Sequence, residues 1–398
     1  MPRILLTLLC FLIALPARAT IPWSRPAATA LLDHGARLGS HGLDPRDYEL
    51  DRLRSALNSG EQSALDTAAT RSFALIARDL ANGRVPPERR RLSYFRTPNL
   101  TPDAVLSLMD RALASNDVPG TLDRLAPSHA DYRMLRAALM SLPAEAVADR
   151  ARLRANLERW RWLPREMGQR YLIVNVPEYV ARLVDRGAVL ATHRVIVGKK
   201  GTPTPQFATS ATGIILNPTW TVPQSIIRES VGALIRNRPA TARARGYTWM
   251  QQGGSLHVVQ QPGPGNALGQ MKIDMPNPLA IFLHDTPSKA LFEREERTFS
   301  HGCVRTDQPF DLAVKMLAGT EWTRARIDET VAAGKTVTAQ LPAPIPVYVV
   351  YLTARADANG RLNRFDDVYG LDGAIAGALG AGNLAATRQL SSMGCLAG

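Results

Sequence analysis

The hydrophobic period changes once along this chain, and the change limits how it can pack. From Thr20 to about Arg165 apolar residues recur every three or four positions, whereas beyond Pro164 they alternate. The first period builds helices with one apolar stripe and the second builds half-buried strands. The fold is therefore predicted to be α+β, with the helices first. In "SALDTAATRSFALIARDLANGRV", Leu65, Ala69, Phe73, Ile76 and Leu80 share one helix face, and Gly83 follows as a terminator. "TPDAVLSLMDRALAS" offers Thr101 as N-cap and Pro102 at the first helical position, with Val105, Leu108, Met109 and Leu113 on one stripe. "HGLDPRDY" reads as a turn opening another helix. These stripes are packing faces, and no repeat of fixed period stands out.

Past "NLERWRWLPRE", strands are predicted in "RYLIVNV", "YVARLVD" and "AVLATHRVIVG", with a hairpin at Arg186 and Gly187. "TGIILNP", "SLHVVQ", "LAIFLHD" and "PVYVVYLTAR" continue the pattern. Trp160 and Trp162 form either an aromatic binding surface or a seam where large rings bury area. Two helical islands interrupt the strands. One, within about 223–255, carries Arg228, Arg236, Arg238, Arg243 and Arg245 and is placed to act as a flap over a site or as a solvated basic face. The other, "QPFDLAVKMLAG", follows the only cysteine of the central region.

At 398 residues the chain is expected to hold two domains, and its 45% hydrophobic content supplies a sizeable core. "MPRILLTLLCFLIALPARAT" has a basic start, an apolar run from Ile4 to Leu15 and a small-residue site at Ala17 to Ala19, which reads as a cleaved signal peptide over 1–19. The run is shorter than the roughly 20 residues that span a bilayer, so no membrane span is expected after signal removal. The formal charge of +13 would fall by two with the loss of Arg3 and Arg18. A basic exported protein suits acidic partners such as anionic surfaces or the carboxylates of cell-wall peptides. Only Cys303 and Cys395 would survive processing, so no disulfide framework or zinc spacing exists.

Chemistry concentrates in "FSHGCVRT", residues 299–306. A neutral thiol needs a base or an electropositive setting to act as a nucleophile. His284, in "AIFLHDTP", shares a strand face with Phe282 while Leu283 points the other way, so the strand end is predicted to bring imidazole within hydrogen-bond reach of Cys303. Gly302 permits a sharp turn and close approach of a carbonyl to the amides of Gly302 and Cys303, a candidate oxyanion hole. Arg305 offers a fixed charge for a substrate carboxylate, or it neutralises Asp307 or Asp311. His301 either assists the sulfur or braces the loop. A Cys303–Cys395 disulfide is the competing structural reading. His34, His41, His129, His193 and His257 are scattered and suggest no metal site, and "GPGNALG" reads as a connecting turn.

His284, fifteen intervening residues, and then Ser300, His301, Gly302, Cys303, Val304 and Arg305 resemble the signature of YkuD-type L,D-transpeptidases of bacterial cell walls. "NLERWRWLP", "RVIVGKKGTPTP", "LNPTWTVPQSI", "GPGNALGQMKIDMPN" and "LHDTPSKALF" look like the large YcbB-like subgroup. The resemblance implies a helical scaffold domain over 20–165, a mainly β catalytic domain over 166–343 with a helical capping insertion at about 223–255, and a C-terminal strand/helix extension and tail over 344–398. The peptidoglycan-binding module that many of the subgroup carry has no room here. Phe282 stands where the subgroup often has tyrosine, and His301 where some relatives have serine.

The resemblance implies that Cys303 attacks the third stem-peptide residue, releases D-alanine and passes the acyl group to another stem's side-chain amine, giving a 3→3 cross-link. It further implies His284 as base and proton donor, oriented by the carbonyl of Asp285 or a neighbour, and Trp220, Phe282, Ser300 and Arg305 around the donor. Partners would be peptidoglycan stem peptides and cell-wall synthesis proteins, in the periplasm, with no cofactor, no metal and no nucleic acid. Hydrolysis, D-amino-acid exchange or lipoprotein attachment through the same thioester, a non-catalytic wall-binding scaffold and an unrelated Cys-His endopeptidase remain as other readings.

Overall fold

A computed structural model of the chain describes residues 21–95, 100–357, 359 and 361–380. The predicted signal segment and Cys395 lie outside the described residues. The described residues form two compact units, one of 21–84, 100–126 and 379–380, the other of 85–95 and the described residues of 127–378.

The first unit is helical, with helices at Arg25–Ala36, Leu50–Ser59, Gln62–Asn82, Pro102–Ala114 and Val118–Asp123. The predicted stripe Leu65, Ala69, Phe73, Ile76 and Leu80 is buried throughout, and Gly83 ends its helix with φ +79°. The Thr101 hydroxyl accepts from the Ala104 amide at 3.3 Å, as an N-cap does. Leu108 is the exception on its stripe, being only half-buried while Val105, Met109 and Leu113 are buried.

The second unit is built on a nine-stranded mixed sheet. Its strands are β1 (Arg170–Asn175), β2 (Val180–Asp185), β3 (Ala188–Gly198), β4 (Phe207–Leu216), β8 (Met271–Asp274), β9 (Leu283–His284), β10 (Thr298–Ser300), β11 (Val304–Thr306) and β12 (Val337–Val350). Three further strands, β5 (Trp220–Thr221), β6 (Tyr247–Gln252) and β7 (Ser255–Gln260), complete the numbering. The spatial order of the large sheet is β10-β3-β11-β9-β8-β4-β12-β1-β2. The β2–β3 hairpin turns at Arg186 and Gly187, both with positive φ. Burial alternates along β8, and Met271 and Ile273 share one core with Leu283 of β9, all three wholly buried. "LAIFLHD" supplies only two strand residues, because Asn277 draws its preceding segment into a turn: its Oδ1 accepts from the Leu279 and Ile281 amides, and Ala280 has φ +53°.

The cap is larger than the sequence suggests. "SLHVVQ", a predicted strand just beyond the expected end of the cap at about 255, is β7 and pairs with β5 and β6 in a separate three-stranded sheet. With the helical island, that sheet encloses its own core of Val222, Ile227, Val231, Ile235, Ala242 and Val258. The cap therefore spans Trp220 to Gln260.

The units part after Ala126, well before the period change at 165. Two helices, Ala130–Ser141 and Val147–Trp162, belong to the unit that holds the sheet, and the second bonds to the chain that follows β12. Asn156 Oδ1 accepts from the Thr353 amide and its Nδ2 donates to the Thr353 hydroxyl, each at 2.8 Å. Arg159 pairs with Asp372 at 2.5 Å. Trp160 and Trp162 are both about fully buried, Trp160 stacking on His129 with ring centroids 4.5 Å apart, so neither offers a binding surface.

Glu158 ties this helix end together. It is wholly buried, and its carboxylate accepts from the Val85 amide (2.8 Å), the Trp162 indole (3.1 Å) and Arg161 (2.8 Å). Removing one partner of a buried pair costs about 3–5 kcal/mol. Glu158→Ala is expected to lose that much in denaturant unfolding, and a loss under about 1 kcal/mol would contradict this role.

Candidate active site

β9 and β11 run parallel, with Leu283 opposite Val304 and His284 opposite Arg305. Leu283 and Val304 are both wholly buried in the core. Residues two apart on a strand share a face, so Phe282, His284, Cys303 and Arg305 fall together on the other side. The predicted sharing of one face by Phe282 and His284 corresponds to this arrangement.

Strand β10 ends at Ser300 and β11 begins at Val304, leaving His301, Gly302 and Cys303 as the turn between them. Gly302 has φ +115°, and a Cβ there would lie 3.1 Å from Ile281 Cδ1, so backbone angle and space both call for glycine. Ser300, buried, donates its hydroxyl to the Cys303 carbonyl at 2.5 Å and accepts from the Gly302 amide at 3.1 Å. Thr204, also buried, donates to the Gly302 carbonyl at 2.7 Å and accepts from the Gly198 amide at 2.8 Å. The Tyr369 hydroxyl completes the brace by donating to the Gly198 carbonyl at 2.6 Å and accepting from the Thr204 amide at 3.2 Å.

Two expectations change here. The Ser300 hydroxyl, placed around the donor by the resemblance, is engaged within the loop. The Gly302 amide is likewise engaged, so the candidate oxyanion donor left without a partner among the described residues is the Cys303 amide.

The sulfur does not hydrogen-bond to the imidazole. Cys303 Sγ, a free thiol, lies 3.8 Å from the Ala280 carbonyl, to which it donates weakly. The positive φ of Ala280 and the Asn277 turn aim that carbonyl at the loop. Burial pushes the thiol above its ordinary range, against the opposing pull of the Phe282 amide, Lys272 and Arg305. A protonated thiol parked on a carbonyl has to rotate about its Cα–Cβ bond to meet a base, and catalytic contacts in unliganded sites are often loose in this way.

His284 is buried, and its Nδ1 lies 2.5 Å from the Asp285 backbone carbonyl. A carbonyl can only accept, so Nδ1 carries the proton and Nε2 keeps a lone pair, the form a general base needs. The Asp285 carboxylate is occupied elsewhere, accepting from the Gln270 amide at 2.8 Å and from Lys289. Burial lowers the His284 pKa to about 4, with Arg305 adding to the effect and the carbonyls of Asp285 and Leu268 opposing it.

Arg305 is half-buried, and its own pKa is lowered by that burial. Asp307 and Asp311, the acids it was considered to neutralise, pair instead with Arg194 at 2.8 Å and Arg324 at 2.7 Å. His301 Nε2 lies 2.9 Å from Glu229 in the cap, and Lys199 lies 3.2 Å from the same carboxylate. Lys199 and His301 hold the Glu229 carboxyl below the usual range. Glu229 sits on a single π-helical turn, Ile227–Val231. His301 thus links the loop to the cap.

Trp220 lies at the base of the cap, opposite Gln260 and packed on the cap core. Among the described residues no cluster of three His, Cys, Asp or Glu side chains is placed to hold a metal. Sequence reasoning missed Thr204, Glu229 and Lys272, whose ammonium lies 4.3 Å from the centre of the Phe282 ring. The alternation in "QMKIDM" was the available signal for Lys272; nothing in "GTPTP" singles out Thr204.

The depressed His284 pKa has a signed consequence. Between pH 6.5 and about 4 the unfolded chain binds a proton that the folded chain refuses, so stability is lost as pH falls through that window. The contribution is at most about 1.4 kcal/mol per pH unit. His284→Asn is expected to flatten the slope of unfolding free energy between pH 6.5 and 4.5. An unchanged slope would mean that the imidazole is not held neutral by burial.

Comparison with known proteins agrees with this reading. Residues 169–332 match the YkuD family, the L,D-transpeptidase catalytic domain, and residues 20–139 match the Scaffold domain family. A putative L,D-transpeptidase of Haemophilus influenzae is 30% identical over 217 residues, which cover 50% of this chain and 44% of that protein. The chain thus spans less than half the length of this curated relative. Among solved structures, an L,D-transpeptidase from Mycobacterium smegmatis matches at 13% identity and a TM-score of 0.26, covering 46% of this chain and 58% of that one. L,D-transpeptidase 1 of Mycobacterium tuberculosis matches at 13% identity and a TM-score of 0.20, covering 46% of this chain and 61% of that one. Likeness at that level decides nothing about shape, so the family matches carry the assignment. Residues 20–139 thus carry the match to a Scaffold domain, and residues 169–332 the match to an L,D-transpeptidase catalytic domain of the YkuD type.

Proposed function

We propose that the protein is a peptidoglycan L,D-transpeptidase that uses Cys303 as its nucleophile. The observation that carries this reading is the register of β9 with β11, which puts the thiol loop, the His284 imidazole and the Arg305 guanidinium on one face. In the first half-reaction Sγ bonds to the carbonyl carbon of the donor's third residue, and its proton passes to Nε2 of His284. The Cys303 amide receives the developing oxyanion. The peptide bond then breaks, D-alanine leaves with the proton returned by His284, and a thioester remains. In the second, the side-chain amine of another stem attacks the thioester, His284 takes the amine's proton, and the proton ends on Sγ as the sulfur leaves. Thioester exchange needs no metal or organic cofactor.

Arg305 is suited to a donor carboxylate, because a half-buried guanidinium with no acid beside it attracts one. Phe282 supplies an apolar wall. The basic balance of the chain fits a carboxylate-rich wall polymer, and the predicted signal segment supports a periplasmic site of action. No helix among the described residues is long and apolar enough to cross a membrane.

With purified mature protein and disaccharide-tetrapeptides, mass spectrometry is expected to find 3→3 dimers together with free D-alanine. Cys303→Ala is expected to yield neither. Dimer formation by that variant would remove the nucleophile assignment, and tripeptides alone from the unaltered protein would replace cross-linking with hydrolysis through the same thioester.

A further inference from the structure

Across three neighbouring strands, three side chains stand in one row. Lys272 of β8 is opposite His284 of β9, and His284 is opposite Arg305 of β11. Directly opposed residues share a face of the sheet, so the imidazole has a cation on either side. Lys272 is half-buried, and its ammonium lies against the Phe282 ring, on the face that also carries Cys303. The nearby acids are engaged with other groups. Asp274, two residues along the same strand face, accepts from the Thr212 hydroxyl at 3.1 Å, and Asp285 is paired with Lys289. Glu229 and His301, on the cap side of the loop, pair with each other and with Lys199. Neither Lys272 nor Arg305 has a carboxylate partner among the described residues.

Two uncompensated cations around one thiol are costly unless something anionic joins them. We propose that Lys272 is a positioning residue for the nucleophile, its ammonium and the Arg305 guanidinium together supplying the positive charge that a Cys303 thiolate needs. Many cysteine nucleophiles are steadied by an imidazolium, but the burial of His284 leaves that ring neutral, and the charge has to come from its neighbours on the row. The Phe282 ring holds the ammonium in place, since a cation over an aromatic face is attracted without being neutralised. This assignment rests on Cys303 being the nucleophile and adds what stabilises the negative charge of its sulfur once the proton has left.

The test is the pH dependence of Cys303 alkylation by iodoacetamide in the purified mature chain, read by mass spectrometry of the peptide that carries it. The thiol gives its proton to buffer, the sulfur bonds to the reagent's methylene carbon, and iodide leaves. Lys272→Met keeps the aliphatic stem on Phe282 and removes the charge. It is expected to move the midpoint of alkylation up by about one pH unit, so that the reaction at pH 7 slows about tenfold. Lys272→Arg is expected to keep the original midpoint, and His284→Asn to move it less than Lys272→Met does. Lys272→Gln serves if the Met variant fails to fold, folding being checked by circular dichroism. An unmoved midpoint in a folded Met or Gln variant would overturn the proposal, as would a larger upward shift in His284→Asn, the mark of a thiolate–imidazolium pair. Alkylation uses no peptide, so its outcome is separate from transpeptidation: normal alkylation without D-alanine release would count against the proposed function alone.

Discussion

The parallel pairing of two very short strands holds the whole site together. β9 contributes two residues and β11 three, yet their register decides that Leu283 and Val304 enter the core while His284 and Arg305 meet on the opposite face. A slip of one residue would exchange the two faces. Short strands do not hold a register by their own hydrogen bonds. Here it is fixed by buried apolar residues on one side and by the loop bracing of Ser300, Thr204 and Tyr369 on the other. The bracing groups bond to backbone and so shape the loop.

That constraint explains the division of labour around Cys303. His284 is positioned by a backbone carbonyl and kept neutral by burial, which suits it to accept a proton. Positive charge is proposed to come from Arg305 and Lys272, which flank the ring on either side. The cap reaches the same loop from above by way of Glu229, joined to His301 and Lys199. This link lies at an irregular helical turn, where backbone hydrogen bonding is locally rearranged.

Much of this was legible in the sequence where a local rule governed it. The helix stripe through Phe73 and Ile76, the N-cap at Thr101, the hairpin at Arg186 and Gly187 and the need for glycine at 302 all follow from period, capping or backbone angle. The match of His284 and the "SHGCVR" segment to the family signature named the site. Less legible were features that depend on partners distant in sequence. The helix Val147–Trp162 has the helical period of the first half, but Asn156 and Arg159 bond to Thr353 and Asp372 some two hundred positions away, so it packs with the sheet. β7 has an ordinary strand pattern, and only its pairing with β5 and β6 makes it part of the cap. Ser300 was legible as part of the motif but not as a loop brace, because its partners depend on a turn that periodicity does not describe.

The central claim is that the sulfur of Cys303 becomes covalently bonded to the donor's acyl group. It is tested most directly by incubating the purified protein with a donor tetrapeptide lacking any amine acceptor, quenching in acid and locating the adduct by peptide mass spectrometry. The account predicts one tripeptide-acyl group on the peptide containing Cys303, removable by hydroxylamine as thioesters are, with D-alanine released in step. D-Alanine release without any adduct at Cys303, or an adduct on another residue, would contradict it.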